Sequence, residues 1–179
     1  SAPSAASRGF VLQNAGDSHV SGYEIEARRS FEAGPGVLSV SAALSGQRGE
    51  FEEGASALVD TNGDGIPDVL DLEGNDVPRL RDYQLTFNVA YSFPIAGNLR
   101  GFVSGSYQRA EGGFETPAND REYEAYQLFD ARVGLRTENL RFSVFGRNLG
   151  DEEYIVNILS ANEYYNQPKV IGVELTLDF

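Results

Sequence analysis

The chain has no cysteine and no methionine among its 179 residues, and only one histidine. Without cysteine, disulfide scaffolds and thiolate metal sites are excluded. The opening SAPSAASRGF has neither a charged n-region nor an apolar h-region, so no signal peptide is legible and Ser1 is not expected to be a translation start. The longest apolar runs are a few residues, too short for a transmembrane helix, although a membrane β-barrel would lack one too. The catalytic signatures that could be sought are also missing: no Gly-x-Ser-x-Gly elbow, no His-Glu-x-x-His and no phosphate-cradling glycine loop. His19, preceding a strand, reads as a solvated loop residue, and an enzyme is not expected.

Positive charge is scarce where negative charge is dense. Between Gly49 and Pro78 lie nine acids (Glu50, Glu52, Glu53, Asp60, Asp64, Asp68, Asp71, Glu73, Asp76) and no base. Between Gly150 and Pro168 lie Asp151, Glu152, Glu153 and Glu163, again with no base. These two stretches account for the whole net charge of -13. Such a balance argues against a nucleic-acid surface, which needs clustered Lys and Arg.

What is abundant is alternation. On a strand successive side chains point to opposite faces. DYQLTFNVAYSF sets Tyr83, Leu85, Phe87, Val89, Tyr91 and Phe93 against Asp82, Gln84, Thr86, Asn88, Ala90 and Ser92. The pattern recurs in HVSGYEIEARRSF, GVLSVSAALSGQR, AYQLFDARVGLR, LRFSVFGRN and the final IGVELTLDF. It is less pure in LRGFVSGSYQR, where Phe102 falls among polar residues. That makes seven strands, with a possible eighth in the N-terminal RGFVLQN, and nothing reads as a long amphipathic helix.

The connections alternate in length. EAGPG, FPIAGN and RTEN are turn-like, whereas residues 49–80, 110–124 and 150–168 form long loops. Unstructured loops beyond about 12–15 residues are uncommon in compact soluble domains. Alternate short turns and long loops put all the long ones at one end of a meander, as in outer-membrane barrels. Strands of about ten residues span lipid when tilted, and Phe31, Tyr83, Phe93 and Phe179 stand near strand ends as in interfacial girdles. The expected fold is all-β, an antiparallel up-and-down transmembrane β-barrel segment.

Four stretches, NAGDSHVSGYEIEARRSF, AYQLFDARVGL, LRFSVFGRNLGDEEY and PKVIGVELTLDF, in that order and spacing, resemble the C-terminal third of a TonB-dependent receptor of the bacterial outer membrane. The most specific pieces are the Asn-Leu-x-Asp-x-x-Tyr step at Asn148, Leu149, Asp151 and Tyr154, and the Pro-x-x-x-Gly final strand closing on Phe179. Gly150 departs from the bulky residue often found there. The resemblance implies that residues 1–179 are the last strands of a larger barrel, without its plug domain, from a parent importing a scarce nutrient (siderophore, cobalamin or glycan). It implies the remaining strands and plug as partners, TonB through the parent, and outer-membrane lipid and lipopolysaccharide around the wall. The C-terminus would be periplasmic, the long loops extracellular, and Phe179 both girdle and insertion signal. The rivals are a complete eight-stranded barrel with an adhesive or structural role, its lumen packed by Phe102 and Phe145, and a secreted calcium-binding β-sandwich.

Two loops carry candidate sites. In DTNGDGIPDVLD, oxygens of Asp60, Asn62, Asp64, the Ile66 carbonyl, Asp68 and Asp71 stand at the positions of a calcium loop, with Gly65 at its sharp turn. Asp replaces the usual final Glu, and no helices flank the loop. A Ca2+ ion there would order the long acidic loop, and it is the only cofactor expected. In the last long loop Tyr154, Tyr164 and Tyr165, among Asn157, Asn162 and Asn166, suit a sugar or chelate ligand. Arg132, Arg136, Arg141 and Arg147 are expected to pair across strands with Glu174 and Asp178.

Overall fold

The computed structural model describes residues 15–60, 65–159 and 162–178. The expected seven strands are present and form one antiparallel sheet: β1 (Ser18–Ala33), β2 (Gly36–Phe51), β5 (Tyr83–Ala96), β6 (Leu99–Glu111), β7 (Tyr126–Arg136), β8 (Leu140–Arg147) and β11 (Val170–Leu177), neighbouring in that order. The stretch RGFVLQN lies outside the described residues.

Two loops hold structure that alternation did not announce. Inside residues 49–80, β2 runs on to Phe51, and β3 (Ser56–Val59) pairs with β4 (Asp68–Asp71). Inside residues 150–168, β9 (Ile155–Leu159) pairs with β10 (Asn162–Tyr165). The only buried apolar cluster among the described residues is Ala55, Ala57 and Leu72, under the β3–β4 ribbon and not in the sheet.

Short connections join β1 to β2, β5 to β6 and β7 to β8. Gly34 and Gly97 take φ of 58° and 56° there, a left-handed backbone that glycine adopts without a Cβ penalty. In the third turn the Thr137 N–H bonds the Leu140 carbonyl while the Thr137 hydroxyl accepts from the Leu140 N–H. All three long connections leave from the other end.

Register sorts the two faces. Leu38, Tyr91, Val103, Val133, Val144 and Val173 form one cross-strand row over six strands. On this face Ile171 is 70% exposed and Val173 71%. A continuous apolar face on that scale is unlike the surface of a soluble monomer and is what a wall facing lipid presents. The other face carries Ser41, Asn88, Ser104, Arg132, Arg136 and Glu174.

The two phenylalanines on that polar face have a structural reason. Phe102 lies over Gly134 and Phe145 over Gly172, where an added Cβ would come within 2.6 Å of each ring. Arg141 sits over Phe102 at 5.5 Å, and Arg132 and Arg147 flank Phe145 at 5.2 and 5.3 Å. Gly134→Ala would meet the Phe102 ring and the Phe142 carbonyl. It is expected to lower wall stability by about 1–3 kcal/mol in urea unfolding, the usual effect of overpacking.

Of the expected cross-strand ion pairs one forms: Arg132 bonds Glu174 at 2.9 Å and Ser143 at 3.1 Å. Arg136 bonds Ser92 instead, and Arg141 and Arg147 lie over rings. Asp178 lies beyond the strand end, its N–H bonded to the Asn139 carbonyl. Among the described residues the outer strands β1 and β11 do not pair with each other, so the seven-stranded sheet is open and does not close on itself.

Candidate functional site

The long-loop end is built from contacts between loops. Asn148, directly after β8, is buried with φ of 48°, which asparagine tolerates better than most residues. Its backbone N–H bonds Asp130 Oδ1 at 2.8 Å. Its side-chain amide donates to the carbonyls of Glu152 (2.8 Å) and Gln167 (3.0 Å), while its Oδ1 accepts from the Glu152 N–H (2.9 Å). One side chain thus ties both ends of the last long loop to the wall.

The rest of the Asn-Leu-x-Asp-x-x-Tyr step follows the same logic. Leu149 packs on Gly146, where a Cβ would lie 2.5 Å from it, and its N–H bonds the Phe129 carbonyl. Asp151, at φ of 55°, accepts from the Lys169 N–H. Tyr154 stacks on Tyr126 of β7 with ring centroids 4.0 Å apart and planes 9° from parallel. Burial, then the adjacent Tyr126, pushes the Tyr154 phenol above its ordinary range, which favours the neutral ring.

A second group braces the other two loops. Arg81 donates to the carbonyls of Gly112 (3.4 Å) and Glu124 (3.2 Å), and lies over Tyr123 at 4.3 Å and Tyr126 at 5.7 Å. Asn119 bonds the backbone of Asp76 reciprocally, donating to its carbonyl and accepting from its N–H. The Glu124 carboxylate accepts from the Ile155 N–H at the base of β9.

The candidate tyrosines separate. Tyr154 is committed to the wall, while Tyr164 and Tyr165 stand exposed on β10 with an irregularity in the ladder between them. Tyr165 donates to Glu163 at 2.8 Å, and this bond holds its phenol above the ordinary range. Asn166 is structural, accepting from the Tyr154 N–H and donating to Glu152. The three rings are therefore not one continuous platform.

Of the calcium-loop residues, Asn62 and Asp64 lie outside the described residues. Asp60 follows Val59, which pairs with Asp68, so Asp60 and Asp68 share the mouth of the β3–β4 ribbon. The Gly65 N–H, at φ of 85°, donates to Asp60 Oδ2 at 2.9 Å and closes the tip, and Ile66 follows in the same bend. Asp71 is not brought to them. It pairs with Ser56, three strand residues or about 10 Å from Asp68, and it accepts from the Glu73 N–H. Among the described residues no three acidic or histidine side chains lie together as a metal-holding group.

Sequence reasoning missed Arg81, Tyr123, Tyr126, Glu124 and Asn119. Their partners are 28 to 43 residues away or are backbone carbonyls, and nothing local marks them.

The fold is similar to part of several larger receptors. The ferric yersiniabactin uptake receptor FyuA from Yersinia pestis matches with a TM-score of 0.72 and 21% identity, over 94% of this chain and 25% of the receptor. The siderophore receptor PiuA from Acinetobacter baumannii matches with a TM-score of 0.64 and 16% identity, over 88% of this chain and 21% of that one. BauA, the ferric preacinetobactin receptor from Acinetobacter baumannii, matches at 0.50 and 15%, over 90% and 27%. The chain thus spans about a quarter of the length of the receptors it matches. No curated protein matches it in sequence. The family model "TonB dependent receptor-like, beta-barrel" matches residues 1–149, and the chain belongs to that family of outer-membrane receptor barrels.

Proposed function

We propose that this chain is the C-terminal part of the barrel wall of a receptor whose whole polypeptide imports a scarce nutrient, with energy delivered by TonB. The observation that carries the reading is the open seven-stranded sheet, with an apolar outer face and two edges unpaired among the described residues. Open edges are not tolerated in lipid, so further strands must complete the wall. The short turns are periplasmic and the long loops extracellular in this reading, with a plug filling the lumen. A siderophore is the first substrate class to test, since FyuA, PiuA and BauA are described as receptors of that kind. Cobalamin and glycans are the others. Deleting the parent gene is expected to abolish uptake of one labelled nutrient class in energised cells. Unchanged uptake of all three would overturn the reading.

The acidic loops are proposed to bind divalent cations, and through them to bridge to lipopolysaccharide. The β3–β4 tip is the calcium candidate, with Asp60, Asn62, Asp64, the Ile66 carbonyl and Asp68 as its ligands. Supporting it is the bond from Gly65 to Asp60, which turns the tip back on its first acid. Calcium at about 0.1–1 mM, the range of extracellular modules, is expected to protect residues 60–71 from protease, and a chelator to reverse this. Unchanged cleavage across that range, or unchanged calcium response in Asp60→Asn, would sink it.

A further inference from the structure

Three arginines stand side by side across adjacent strands. Arg100 of β6 is the cross-strand partner of Arg136 of β7, and Arg136 is the partner of Arg141 of β8. Neighbouring strands are about 4.8 Å apart, and like charges directly opposite destabilise a sheet. The row therefore carries a cost that no ion pair among the described residues offsets. Arg136 bonds the Ser92 hydroxyl, and Arg141 lies over the Phe102 ring. None of the three is ion-paired among the described residues, and the nearby Glu174 is taken by Arg132. Thr176 continues the row on β11 and is neutral.

The placement of the row narrows what could answer it. It lies on the face opposite the valine row, so lipid headgroups do not reach it, and next to the short turns at 97–98 and 137–139, far from the long loops. The three arginines line an open concavity with Ser92, Phe102 and the Arg132–Glu174 pair. Guanidinium forks are suited to carboxylates, which they bind in bidentate fashion.

We propose that this row is a docking seat for an acidic segment of the parent's own lumen-filling domain, whose carboxylates neutralise Arg100, Arg136 and Arg141. The proposal rests on the receptor reading above. Its occupant comes from the three quarters of the matched receptors that this chain does not span, and the charge of the row selects an acidic stretch there.

The test uses the full-length parent. This chain's only lysine is Lys169, on the segment before β11 at the long-loop end, so R136K places an amine in the row while keeping its charge. A zero-length carbodiimide is expected to join that amine to an Asp or Glu of the lumen-filling domain, identified by peptide mass. Cross-links only to Glu138, Glu174 or Asp178 of this wall, or none, would overturn the proposal. In parallel, R100Q/R136Q/R141Q is expected to speed hydrogen exchange in the lumen-filling domain and to lower the thermal midpoint. A row without a counter-charge predicts the opposite, a midpoint raised by relief of repulsion. Heat-modifiable gel migration shows whether the barrel is folded, and the R136K result stands if the triple variant is not. A parent with no lumen-filling domain would overturn the receptor reading as well. A long parent with a folded barrel and no such cross-link would overturn the arginine seat alone.

Discussion

Val133→Arg is expected to destabilise the folded wall by about 2–4 kcal/mol, the cost of a cationic side chain near the bilayer midplane on a barrel's lipid face. Val133 lies between Val103 and Val144 in the cross-strand row, 56% exposed on the face where Val173 and Ile171 are more exposed still. Ser106→Lys is the control. Ser106 is the partner of Asp130 on the opposite face, so an ammonium there gains a carboxylate neighbour and stays in the wet lumen. The two substitutions add the same charge three rows apart, on opposite sides of the sheet. Urea unfolding of the parent barrel in lipid vesicles reads both. A lipid-facing wall predicts a large loss for Val133→Arg and little change for Ser106→Lys. Equal tolerance would mean that both faces meet water.

Asn148→Ala is expected to release the last long loop. The substitution removes three side-chain hydrogen bonds, leaves the Glu152 N–H without its acceptor and the Glu152 and Gln167 carbonyls with Asn166 alone, and puts alanine, which tolerates it less well than asparagine, at φ of 48°. At about 1 kcal/mol per bond, with more for buried groups left unsatisfied and about 1–2 kcal/mol for the left-handed backbone, the loss is about 3–5 kcal/mol. It falls on residues 149–169 and not on the sheet, because the β8–β11 ladder does not pass through Asn148. Hydrogen exchange in that loop should therefore quicken roughly a hundredfold or more, with strand exchange unchanged. Asn148→Gly separates the causes: it relieves the backbone and restores none of the bonds, so it should lie between. An unchanged loop in Asn148→Ala would mean that Asn148 is not its tether.

Alternation was legible because the two faces of this sheet meet different media. Tyr83 to Phe93 could be assigned to one side residue by residue, and the same register appears in β5. The hairpins SALV–DVLD and IVNIL–NEYY were not legible, since such short pieces are placed by partners across a turn and by Ala55 and Leu72 beneath the first of them. The count of twelve residues from Asp60 to Asp71 treated that stretch as one loop. In the fold its last four residues are strand, and a strand carries Asp71 away from the tip. The Asn-Leu-x-Asp-x-x-Tyr step was visible as a resemblance, but its reason was not. The partners of Asn148 and Tyr154 come from β7 and from the start of the final strand's approach. The arginine row needed the register of two strand pairs before Arg100 could be placed beside Arg136 and Arg141.

The central claim is that this wall is one part of a longer receptor, and the most direct measurement is the size of the native polypeptide. Outer membranes would be run on a denaturing gel and probed with an antibody to residues 151–166. The account predicts a band about four times the length of this chain, as for the receptors it matches. A band near 19.5 kDa would contradict it.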